Sequence, residues 1–353
     1  MIEVKKEGIL LSKTELEFEN ESVLNPAVIR EGECVHMYYR AVQTGNHSTL
    51  GYCRLAGPLT IEERWTKPLM IPEYIYESQG VEDARIVKIG KLYYLTYTAY
   101  DGTNARGALA TSNDLIHFKK KGMLAPPITY ARFVSLIESA GKVNENYYTN
   151  HNFYYKESDP EEKMLLWDKN FVFFPRRIHG NLVFLHRIRP GIQLVSVKSL
   201  KDLTAAFWKE YFIHFHDHIV MDPLYEHESS YIGSGCPPIE TPEGWLLLYH
   251  GAEETDHGLV YSACAAALLD LDDPSKTIAR LPYALFSPGF EWERVGEVNN
   301  VVFPTGTALF GDTLYIYYGA ADSHIACASL SFSGLIAELL SYKIKDEKSN
   351  GLQ

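Results

Sequence analysis

The sequence predicts an all-β fold, a five-bladed β-propeller with short helical insertions. The first observation is a phrase that occurs five times in the 353 residues: a short apolar strand, a turn with Gly or charge, a second strand rich in Tyr, Phe or Leu, then an ionisable residue. The second is the spacing of these phrases, since reference residues in the second strands lie 58, 88, 64 and 68 residues apart. Such spacings suit four-stranded blades with insertions.

The five phrases run almost from one end of the chain to the other. They are Val28–Arg40, Arg85–Asp101, Arg176–Arg187, Pro238–His250 and Thr307–Asp322, with Tyr39, Tyr97, Leu185, Tyr249 and Tyr317 as reference residues. Strands this short cannot bury a face alone, so they are expected to pack in a radial array. Equivalent strands of a propeller converge on one axis. The final residues of the phrases are therefore predicted to face one central pocket: Arg40, Asp101, Arg187, His250 and Asp322.

The order of elements predicts one catalytic domain, residues 1–353, because no linker interrupts the repeats. Blades are expected within about 20–335, followed by a polar tail at 343–353. Apolar residues at helical spacing predict one or two helices in Thr129–Asn144, an insertion that explains the longest spacing. Lys198–Trp208 is expected to hold a helical turn, and the acidic Lys156–Lys163 a surface loop.

Composition excludes several classes of function. The net charge of −12 argues against nucleic acid, whose phosphates need a basic surface. The chain contains no apolar run long enough for a membrane span, and its first twenty residues do not resemble a secretion signal. Five cysteines without a CxxC pair argue against a disulfide framework or a zinc site. Together these features predict a cytoplasmic protein.

A compact charged cluster lies at Gly80–Arg85, just before the second phrase. Neighbouring side chains of a strand point to opposite faces, so Glu82 and Asp83 should not share a pocket, whereas Asp83 and Arg85 could. A structural ion pair is the ordinary interpretation of such a pair. In a pocket with other charges, Asp83 becomes a candidate general acid, provided that burial keeps it protonated.

Other polar clusters suggest binding sites rather than acid–base chemistry. Two or three cations with an amide make a cradle for an oxyanion, and Lys169, Asn170, Arg187 and His250 supply these groups unless they are ordinary surface charges. Asp322 could grip sugar hydroxyls or simply cap a turn. The turn Gly233–Pro238 lacks the lysine of a nucleotide-binding loop. The histidines of HFHDH (His214–His218) could bind metal, but a surface strand or loop is favoured and no metal site is predicted.

These clusters together resemble glycoside hydrolase family 130. The matching pieces follow the chain in order: Asn25–Pro26, Tyr39–Ala41, Gly80–Arg85, Thr98–Asp101, Lys169–Asn170 with Phe173–Pro175, Leu185–Arg187, Gly233–Pro238, Tyr249–Gly251 and Tyr318–Asp322. That family contains mannoside phosphorylases and some β-mannosidases on a five-bladed propeller. The resemblance therefore implies the same fold and an enzyme acting on β-linked mannosides.

The resemblance also implies roles for individual residues. Asp83 matches the general acid, which is thought to deliver its proton through a sugar hydroxyl. Residues of the −1 sugar subsite are matched by Asn25, Arg40, Asp101 and Asp322, and Arg85 is assigned to substrate binding beside them. The phosphate site of the phosphorylases, or the water site of the hydrolases, is matched by Lys169, Asn170, Arg187, Tyr231 and His250.

Two positions depart from the family's phosphate site. Phosphorylases usually have Arg where this chain has Lys169, and Lys where it has Tyr231. Hydrolytic members instead place glutamates near the attacking water, and Glu226, Glu228 and Glu253 lie near the relevant segments without a clear match. The retained cations favour phosphate.

The predicted function is an inverting phosphorylase that transfers mannose from a β-linked mannoside to inorganic phosphate and yields α-mannose 1-phosphate. Phosphate would be a co-substrate, no other cofactor is expected, and the partner is a small oligosaccharide. An inverting β-mannosidase is the close alternative. A noncatalytic sugar-binding propeller is the second alternative, and both assembly into a homo-oligomer and the β-1,2 or β-1,4 linkage are left open.

Overall fold

The computed structural model describes residues 2–139, 141–149, 165–255 and 258–344, except for the side chains of residue 149 and of 258–263. Short strands dominate it, so the predicted all-β class is confirmed. In chain order the strands are β1 (Lys5–Ser12), β2 (Ser22–Glu31), β3 (Cys34–Gln43), β4 (His47–Ala56), β5 (Thr60–Arg64), β6 (Gly80–Ile89), β7 (Leu92–Tyr100), β8 (Ala105–Ser112), β9 (Lys119–Met123), β10 (Lys169–Phe173), β11 (Leu182–Arg187), β12 (Ile192–Val197), β13 (Ile219–Met221), β14 (Tyr231–Ser234), β15 (Ile239–Thr241), β16 (Gly244–Thr255), β17 (Gly258–Leu269), β18 (Thr277–Arg280), β19 (Val302–Phe310), β20 (Thr313–Ala320) and β21 (His324–Ser331).

These strands form antiparallel groups of four or five neighbours. The groups are β2–β5, β6–β9, β10–β13, β14–β18, and β19–β21 with β1. The first two groups are joined by one parallel pair, Ser48 with Gly80, while all other pairing within them is antiparallel. This division supports the predicted count of five blades, which stays a prediction.

Both ends of the described chain meet in the last group. Strand β1 pairs with β21 from Lys5 opposite Ser329 to Ser12 opposite His324. The N-terminal strand thus becomes the outermost strand of a sheet built from the C-terminal part of the chain. This closure supports the prediction of one domain.

The predicted helical insertions are confirmed. Helix α1 (Tyr130–Ile137) begins after Thr129, whose hydroxyl accepts a hydrogen bond from the amide of Arg132, and α2 spans Asn146–Thr149. A 3₁₀ turn at Leu200–Asp202 and α3 (Ala205–Ile213) occupy and extend the second predicted helical segment. Residues 156–163 and 345–353, predicted as a loop and a polar tail, lie outside the described residues.

The described helices also include α4 (Glu291–Arg294) and α5 (Phe332–Ser341), and 3₁₀ turns lie at Glu17–Glu19, Ile75–Glu77 and Glu226–Glu228. Helices α1 and α3 pack their apolar faces together over the third sheet, where Phe133 meets Phe212 edge-on at 5.6 Å. Across the described ranges, no helix combines the length and the apolar character needed to cross a membrane.

At His214–His218 the sequence predicts a surface strand or loop. The strand is wrong. The segment continues α3 as a 3₁₀ turn, Phe215–His218, because Phe215 is drawn into the core beside Phe133. His218 stacks on Tyr211 with ring centroids 4.0 Å apart, and burial lowers its pKa to about 4. No cluster of three or more metal-binding side chains occurs among the described residues.

A buried polar unit recurs in four of the five strand groups. A glutamate just before the first strand accepts a hydrogen bond from a tyrosine of the next long strand, and it pairs with a cation from the outermost strand. We call this unit the Glu–Tyr–cation clasp; its members are Glu19, Tyr39 and Arg64; Glu77, Tyr97 and Lys120; Glu228, Tyr249 and Arg280; Glu293, Tyr318 and Lys6. All four glutamates are fully buried.

In these four groups, each clasp joins the start of the inner strand to a middle and an outer strand. In the third group the corresponding unit is Asp168, His186 and Tyr211, with both ring nitrogens of His186 2.7 Å from their oxygen partners. The clasps also correct the reference residues chosen from sequence. The equivalent of Tyr39 is His186 rather than Leu185, and Tyr318 rather than Tyr317.

Candidate active site

Three neighbouring first strands present a polar side chain at a β-bulge. Asn25, Asp83 and Asn170 have φ of 49°, 48° and 55°, and the registers of β2, β6 and β10 shift at these places. Asn and Asp tolerate this left-handed conformation better than other residues with a side chain. A bulge bends the strand and redirects the side chain. The bulges therefore turn one amide or carboxylate from each strand toward the others.

Asp83 lies at the centre of this group and is only 8% exposed. The side-chain amide of Asn25 donates to its Oδ1 at 2.7 Å, Arg40 Nη1 lies 3.8 Å from Oδ1, and Lys169 Nζ lies 3.9 Å from Oδ2. Burial by itself raises the pKa of Asp83, but Arg40, Lys169 and the bond from Asn25 outweigh it and hold the pKa below its ordinary value. Burial alone therefore does not keep this carboxyl protonated, which was the condition for a general acid; the role of Asp83 as the acid stays a prediction.

Glu82 and Asp83 share the same cation, against the prediction that they point to opposite faces. Arg40 Nη2 lies 2.9 Å from Glu82 Oε1, while its Nη1 faces Asp83. The simple alternation of a strand fails here because the bulge lies between Glu82 and Arg85 and includes Asp83. Arg40 is further fixed by its Nε, which donates to Ser48 Oγ at 2.9 Å.

Arg85 is buried and held by the backbone rather than by the carboxylate of Asp83. Its Nη1 donates to the carbonyls of Asp83 and Ala84, both at 3.0 Å, and its Nε donates to the carbonyl of Gly235. The remaining nitrogen, Nη2, has no hydrogen-bond partner within the part of the chain that the structure describes. Burial lowers the pKa of Arg85 to about 10. Its predicted role in substrate binding stays a prediction.

Asp101 directly follows β7 and organises the loop after it. Its Oδ1 accepts hydrogen bonds from the amides of Thr103 and Asn104 at 3.0 and 2.7 Å. Over the described ranges, no hydrogen bond or ion pair joins Asp101 to Asp83 or Arg40. The structure therefore does not bring Asp101 into direct contact with the rest of the predicted site, and its role also stays a prediction.

Asp322 lies at the mouth of the group, just after β20. With Arg40 and Asn46 it lines a cavity of about 440 Å³. Burial raises the pKa of Asp322 to about 6; Arg40 opposes this rise, and the neighbouring Asp83 adds to it. A carboxyl that titrates near neutral pH in an open cavity can accept or donate hydrogen bonds to a hydroxylated ligand.

Asp101 and Asp322 occupy a different structural position from the other phrase-ending residues. Arg40, Arg187 and His250 each directly follow the tyrosine or histidine of a clasp unit, whereas the two aspartates lie at strand ends, four residues beyond Tyr97 and Tyr318. The predicted series therefore combines two sets of positions. One set lies inside the sheets and the other at their edges.

A cluster of cations adjoins Asp83. Lys169 and Arg187 face each other across β10 and β11, and Arg187 Nη1 lies 3.3 Å from His250 Nε2. Burial, followed by the charges of Arg187, Arg85, Arg189 and Lys169, lowers the pKa of His250 well below its ordinary value. The imidazole is thus neutral without a ligand.

Among the described residues, the buried polar atoms of this region without a hydrogen-bond partner include His250 Nδ1 and Asn170 Oδ1. If His250 Nε2 accepts from Arg187, Nδ1 carries the proton and can only donate. A buried N–H donor surrounded by cations is well placed to bind an oxyanion such as phosphate.

Comparison with known proteins shows the family to which the chain belongs. A family model described as β-1,4-mannooligosaccharide phosphorylase matches residues 7–339. The chain belongs to glycoside hydrolase family 130. It is 33% identical over 347 residues to a 1,2-β-oligomannan phosphorylase of Thermoanaerobacter sp. (strain X514), which covers 95% of this chain and 99% of that protein.

Two other members of family 130 extend the comparison. A β-1,2-mannobiose phosphorylase of the same Thermoanaerobacter strain is 32% identical over 337 residues, or 91% of this chain and 93% of that protein. The solved structure of the β-1,2-mannobiose phosphorylase of Listeria innocua in complex with β-1,2-mannobiose is similar in fold. Its TM-score is 0.71 at 21% identity, with coverage of 96% of this chain and 100% of that chain.

Of the three glutamates considered as a hydrolytic base for a family 130 enzyme, Glu228 is not available. Its Oε1 accepts from the Tyr249 hydroxyl at 2.6 Å, and its Oε2 lies 2.7 Å from Arg280 and also accepts backbone amides. Glu226 is exposed and Glu253 is half-buried on β16. Because Glu228 belongs to a clasp, its position near the site reflects the fold.

Tyr231 is the main departure from the family 130 phosphate site, and its ring contacts a second arginine besides Arg187. The ring centre of Tyr231 lies 5.1 Å from the guanidinium carbon of Arg187 and 3.6 Å from that of Arg189. Sequence reasoning missed Arg189. The available signal was its position two residues after Arg187, although β11 ends between them, so strand alternation alone does not predict the contact.

Proposed function

We propose that this protein is an inverting β-mannoside phosphorylase. Inorganic phosphate would attack the anomeric carbon of a terminal mannose, the glycosidic bond would break, and α-mannose 1-phosphate would leave with the shortened oligosaccharide. The observation that carries the proposal is the cation cluster around His250, which adjoins the carboxylate of Asp83 through Lys169. An inverting displacement needs an acid on one face of the sugar and a nucleophile on the other.

Asp83 would supply the proton to the departing glycosidic oxygen, through a sugar hydroxyl as the family resemblance implies. Arg40 and Lys169 lower the pKa of its carboxyl and so favour the ionised form. Bound phosphate would draw the charge of Lys169 to itself, so the pKa of Asp83 would rise as the nucleophile arrives. The acid would then be protonated mainly when phosphate is present.

The −1 sugar would lie in the cavity beside Asp322 and Arg40. Asn25 positions the acid through its 2.7 Å hydrogen bond and would also face the sugar. We retain Arg85 and Asp101 as proposed members of this subsite, although the first contacts backbone carbonyls and the second contacts its own loop. Asn170, Arg187, His250 and Lys169 would hold the phosphate.

A β-1,2 linkage is the finer proposal. Two relatives that match nearly the whole chain at 33% and 32% identity are named for β-1,2-linked substrates. The family model carries a β-1,4 description, and a β-1,4-mannooligosaccharide phosphorylase of Ruminococcus albus matches only 49% of this chain, at 40% identity. Agreement along the whole chain is the better guide, because loops far apart in sequence shape the +1 subsite.

The β-mannosidase alternative is less well supported. A hydrolase needs a carboxylate base beside the attacking water, and one of the three candidate glutamates is fully engaged in a clasp. The cations would have no evident use in such a reaction. A noncatalytic sugar-binding propeller would need no ionised carboxylate buried between two cations. A cytoplasmic location and assembly into a homo-oligomer stay predictions from sequence.

The test is incubation of the purified protein with β-1,2-mannobiose and, separately, with β-1,4-mannobiose, each with and without phosphate. We expect mannose 1-phosphate only with phosphate, and faster from the β-1,2 substrate. Faster turnover of the β-1,4 substrate would overturn the linkage but not the reaction. Free mannose formed equally with and without phosphate would overturn the reaction and favour the hydrolase.

A further inference from the structure

Arg189 lies in the short turn between β11 and β12, next to the proposed phosphate site. Its guanidinium carbon stands 3.6 Å above the ring of Tyr231, close enough for stacking. Arg187, two residues earlier, approaches the same ring at 5.1 Å. Tyr231 itself is only 2% exposed. The buried ring of Tyr231 thus contacts the guanidinium groups of Arg187 and Arg189, which lie two residues apart in the chain.

Hydrogen bonds fix the backbone of the turn that carries Arg189. Gln193 accepts a hydrogen bond from the amide of Ile188 at 2.7 Å and donates to its carbonyl at 3.1 Å. Tyr147 supports Gln193 from the other side at 2.9 Å. The carbonyl of Pro190 accepts from the amide of Ile232 at 2.8 Å, which ties the turn to β14. The backbone beside Arg189 is therefore preorganised rather than loosely attached.

Arg189 contributes to the charge of the phosphate site. Burial lowers the pKa of His250 most, and Arg189 is one of four cations, with Arg187, Arg85 and Lys169, whose charges lower it further. Like charges brought this close repel one another, and a bound dianion relieves that repulsion. Arginine is well suited to such a ligand because its planar group can donate two hydrogen bonds to one phosphate.

We propose that Arg189 is a phosphate-binding residue, held by the ring of Tyr231, and that it supplies the cation that related phosphorylases place at the position of Tyr231. The site thereby keeps its charge although it lacks that lysine. This inference rests on the proposed function, since it concerns the phosphate of that reaction.

The test compares Arg189→Ala and Arg189→Lys with the wild type in phosphorolysis of β-1,2-mannobiose. We expect Arg189→Ala to raise the KM for phosphate about 10- to 100-fold, as the loss of a charged hydrogen bond does, with the KM for mannobiose nearly unchanged. Arg189→Lys should recover part of the loss. The control is Arg132→Ala on the exposed face of α1, which removes the same charge far from the site. Equal KM values for phosphate in wild type and Arg189→Ala would overturn the inference.

A double variant tests the exchange of cations directly. Arg189→Ala combined with Tyr231→Lys should bind phosphate more tightly than Arg189→Ala alone, because a cation returns to the same space. Thermal unfolding of each variant separates loss of binding from loss of folding. If the double variant folds and gains no affinity for phosphate, the two positions are not interchangeable and the inference is wrong.

Calorimetric titration with inorganic phosphate alone separates this inference from the proposed function. Phosphate that binds the wild type but not Arg189→Ala, in a protein that produces no mannose 1-phosphate, would support the role of Arg189 and overturn the reaction. Phosphate that binds both proteins equally would overturn the role of Arg189 whatever the reaction. A wild type that does not bind phosphate would overturn both.

Discussion

Asp83 and Asp322 both experience the charge of Arg40, but with opposite results for their pKa values. Asp83 also has Lys169 and the amide of Asn25 beside it, and these partners keep it ionised despite its burial. For Asp322, burial prevails over the attraction of Arg40, and the nearby Asp83 adds repulsion, so its pKa rises to about 6. Two carboxyl groups with separated pKa values are an arrangement typical of catalytic sites.

Asp83→Asn should abolish most of the activity while the fold is retained. An amide cannot donate the proton, and general acid catalysis typically contributes about 10²- to 10⁴-fold in rate. The measurement is kcat for phosphorolysis of β-1,2-mannobiose, with circular dichroism to check folding. Asp217→Asn, an exposed aspartate beyond α3, serves as the control and should leave kcat unchanged. Little change of kcat in Asp83→Asn would show that another group is the acid.

Asp322→Asn should stabilise the protein in a pH-dependent manner. Because the folded-state pKa of about 6 lies above the ordinary 3.8, the folded protein binds this proton more tightly, and stability falls as pH rises from about 4 to about 6. Above pH 6 the substitution should therefore raise the free energy of unfolding, by about 1–3 kcal/mol at most. Urea unfolding at pH 4 and pH 7.5 checks this, with Asp217→Asn as the matched control. A variant that is less stable than the wild type at pH 7.5 would contradict it.

At the level of single elements, bulged strands decide which side chains meet. Alternation along an ideal strand predicts that Asp83 and Arg85 share a face and that Glu82 faces away. The bulge reverses this, so Arg40 contacts both Glu82 and Asp83 while Arg85 turns to backbone carbonyls. A bulge depends on the pairing of two strands and on a left-handed backbone at one residue. Neither can be read from residue types alone, although Asn or Asp at such a position is a weak signal.

The clasps leave a signal in the sequence, but the signal is clear only once the contacts are known. Their glutamates precede their tyrosines by 20, 20, 21 and 25 residues, a recurring interval that spans the turn, the first strand and the hairpin. Tyrosine is common in strands, and nothing in the local sequence links such a residue to a buried acid. A lone glutamate before a strand looks like a solvated charge, and its partner lies on a strand distant in sequence.

Glu228→Ala should destabilise the protein far more than Glu226→Ala. Removing Glu228 leaves Arg280 buried without its carboxylate, and breaking a buried ion pair in this way costs about 3–5 kcal/mol. Glu226 is exposed in the same 3₁₀ turn and makes a matched control with an expected cost near zero. The measurement is the midpoint of thermal unfolding. Similar midpoints for the two variants would show that the clasp has no structural importance.

At the level of the whole molecule, the two ends of the chain meet in one sheet. Strand β1 adds the outer edge to the sheet of β19–β21, and Lys6 on β1 pairs with the buried Glu293 at 2.5 Å. The clasp of this sheet therefore needs residues from opposite ends of the sequence. Unfolding of either end should expose the same buried carboxylate.

Lys6→Ala should consequently weaken the closure of the molecule, whereas Lys5→Ala should not. Glu293 would lose a buried partner, at a cost of about 1–3 kcal/mol or more. Lys5 has 73% of its side chain exposed and pairs with Glu7, so water screens this ion pair. Hydrogen exchange of the β1 and β21 amides should be faster in Lys6→Ala than in Lys5→Ala. Equal exchange in the two variants would contradict a role of this clasp in closure.

Much of the architecture was predictable because strand patterns and spacings repeat. The all-β class, both helical insertions and the residues around Asp83 follow from local sequence and family resemblance. The exceptions are the long-range contacts: the stacking of Arg189 on Tyr231, the engagement of Glu228 with Arg280, and the ionised state of Asp83. Each of these depends on a distance between segments far apart in sequence, or on the balance of burial against neighbouring charges.

The central claim is that the cations beside Asp83 serve phosphate rather than water. The most direct test is the ratio of mannose 1-phosphate to free mannose formed from β-1,2-mannobiose in phosphate buffer, followed by ³¹P and ¹H NMR. The proposed function predicts one α-mannose 1-phosphate for each free mannose, because phosphorolysis of a disaccharide releases one of each, and the phosphate ester has the α configuration from the start. Two molecules of free mannose per mannobiose at saturating phosphate, with no mannose 1-phosphate, would contradict it and identify the protein as a hydrolase.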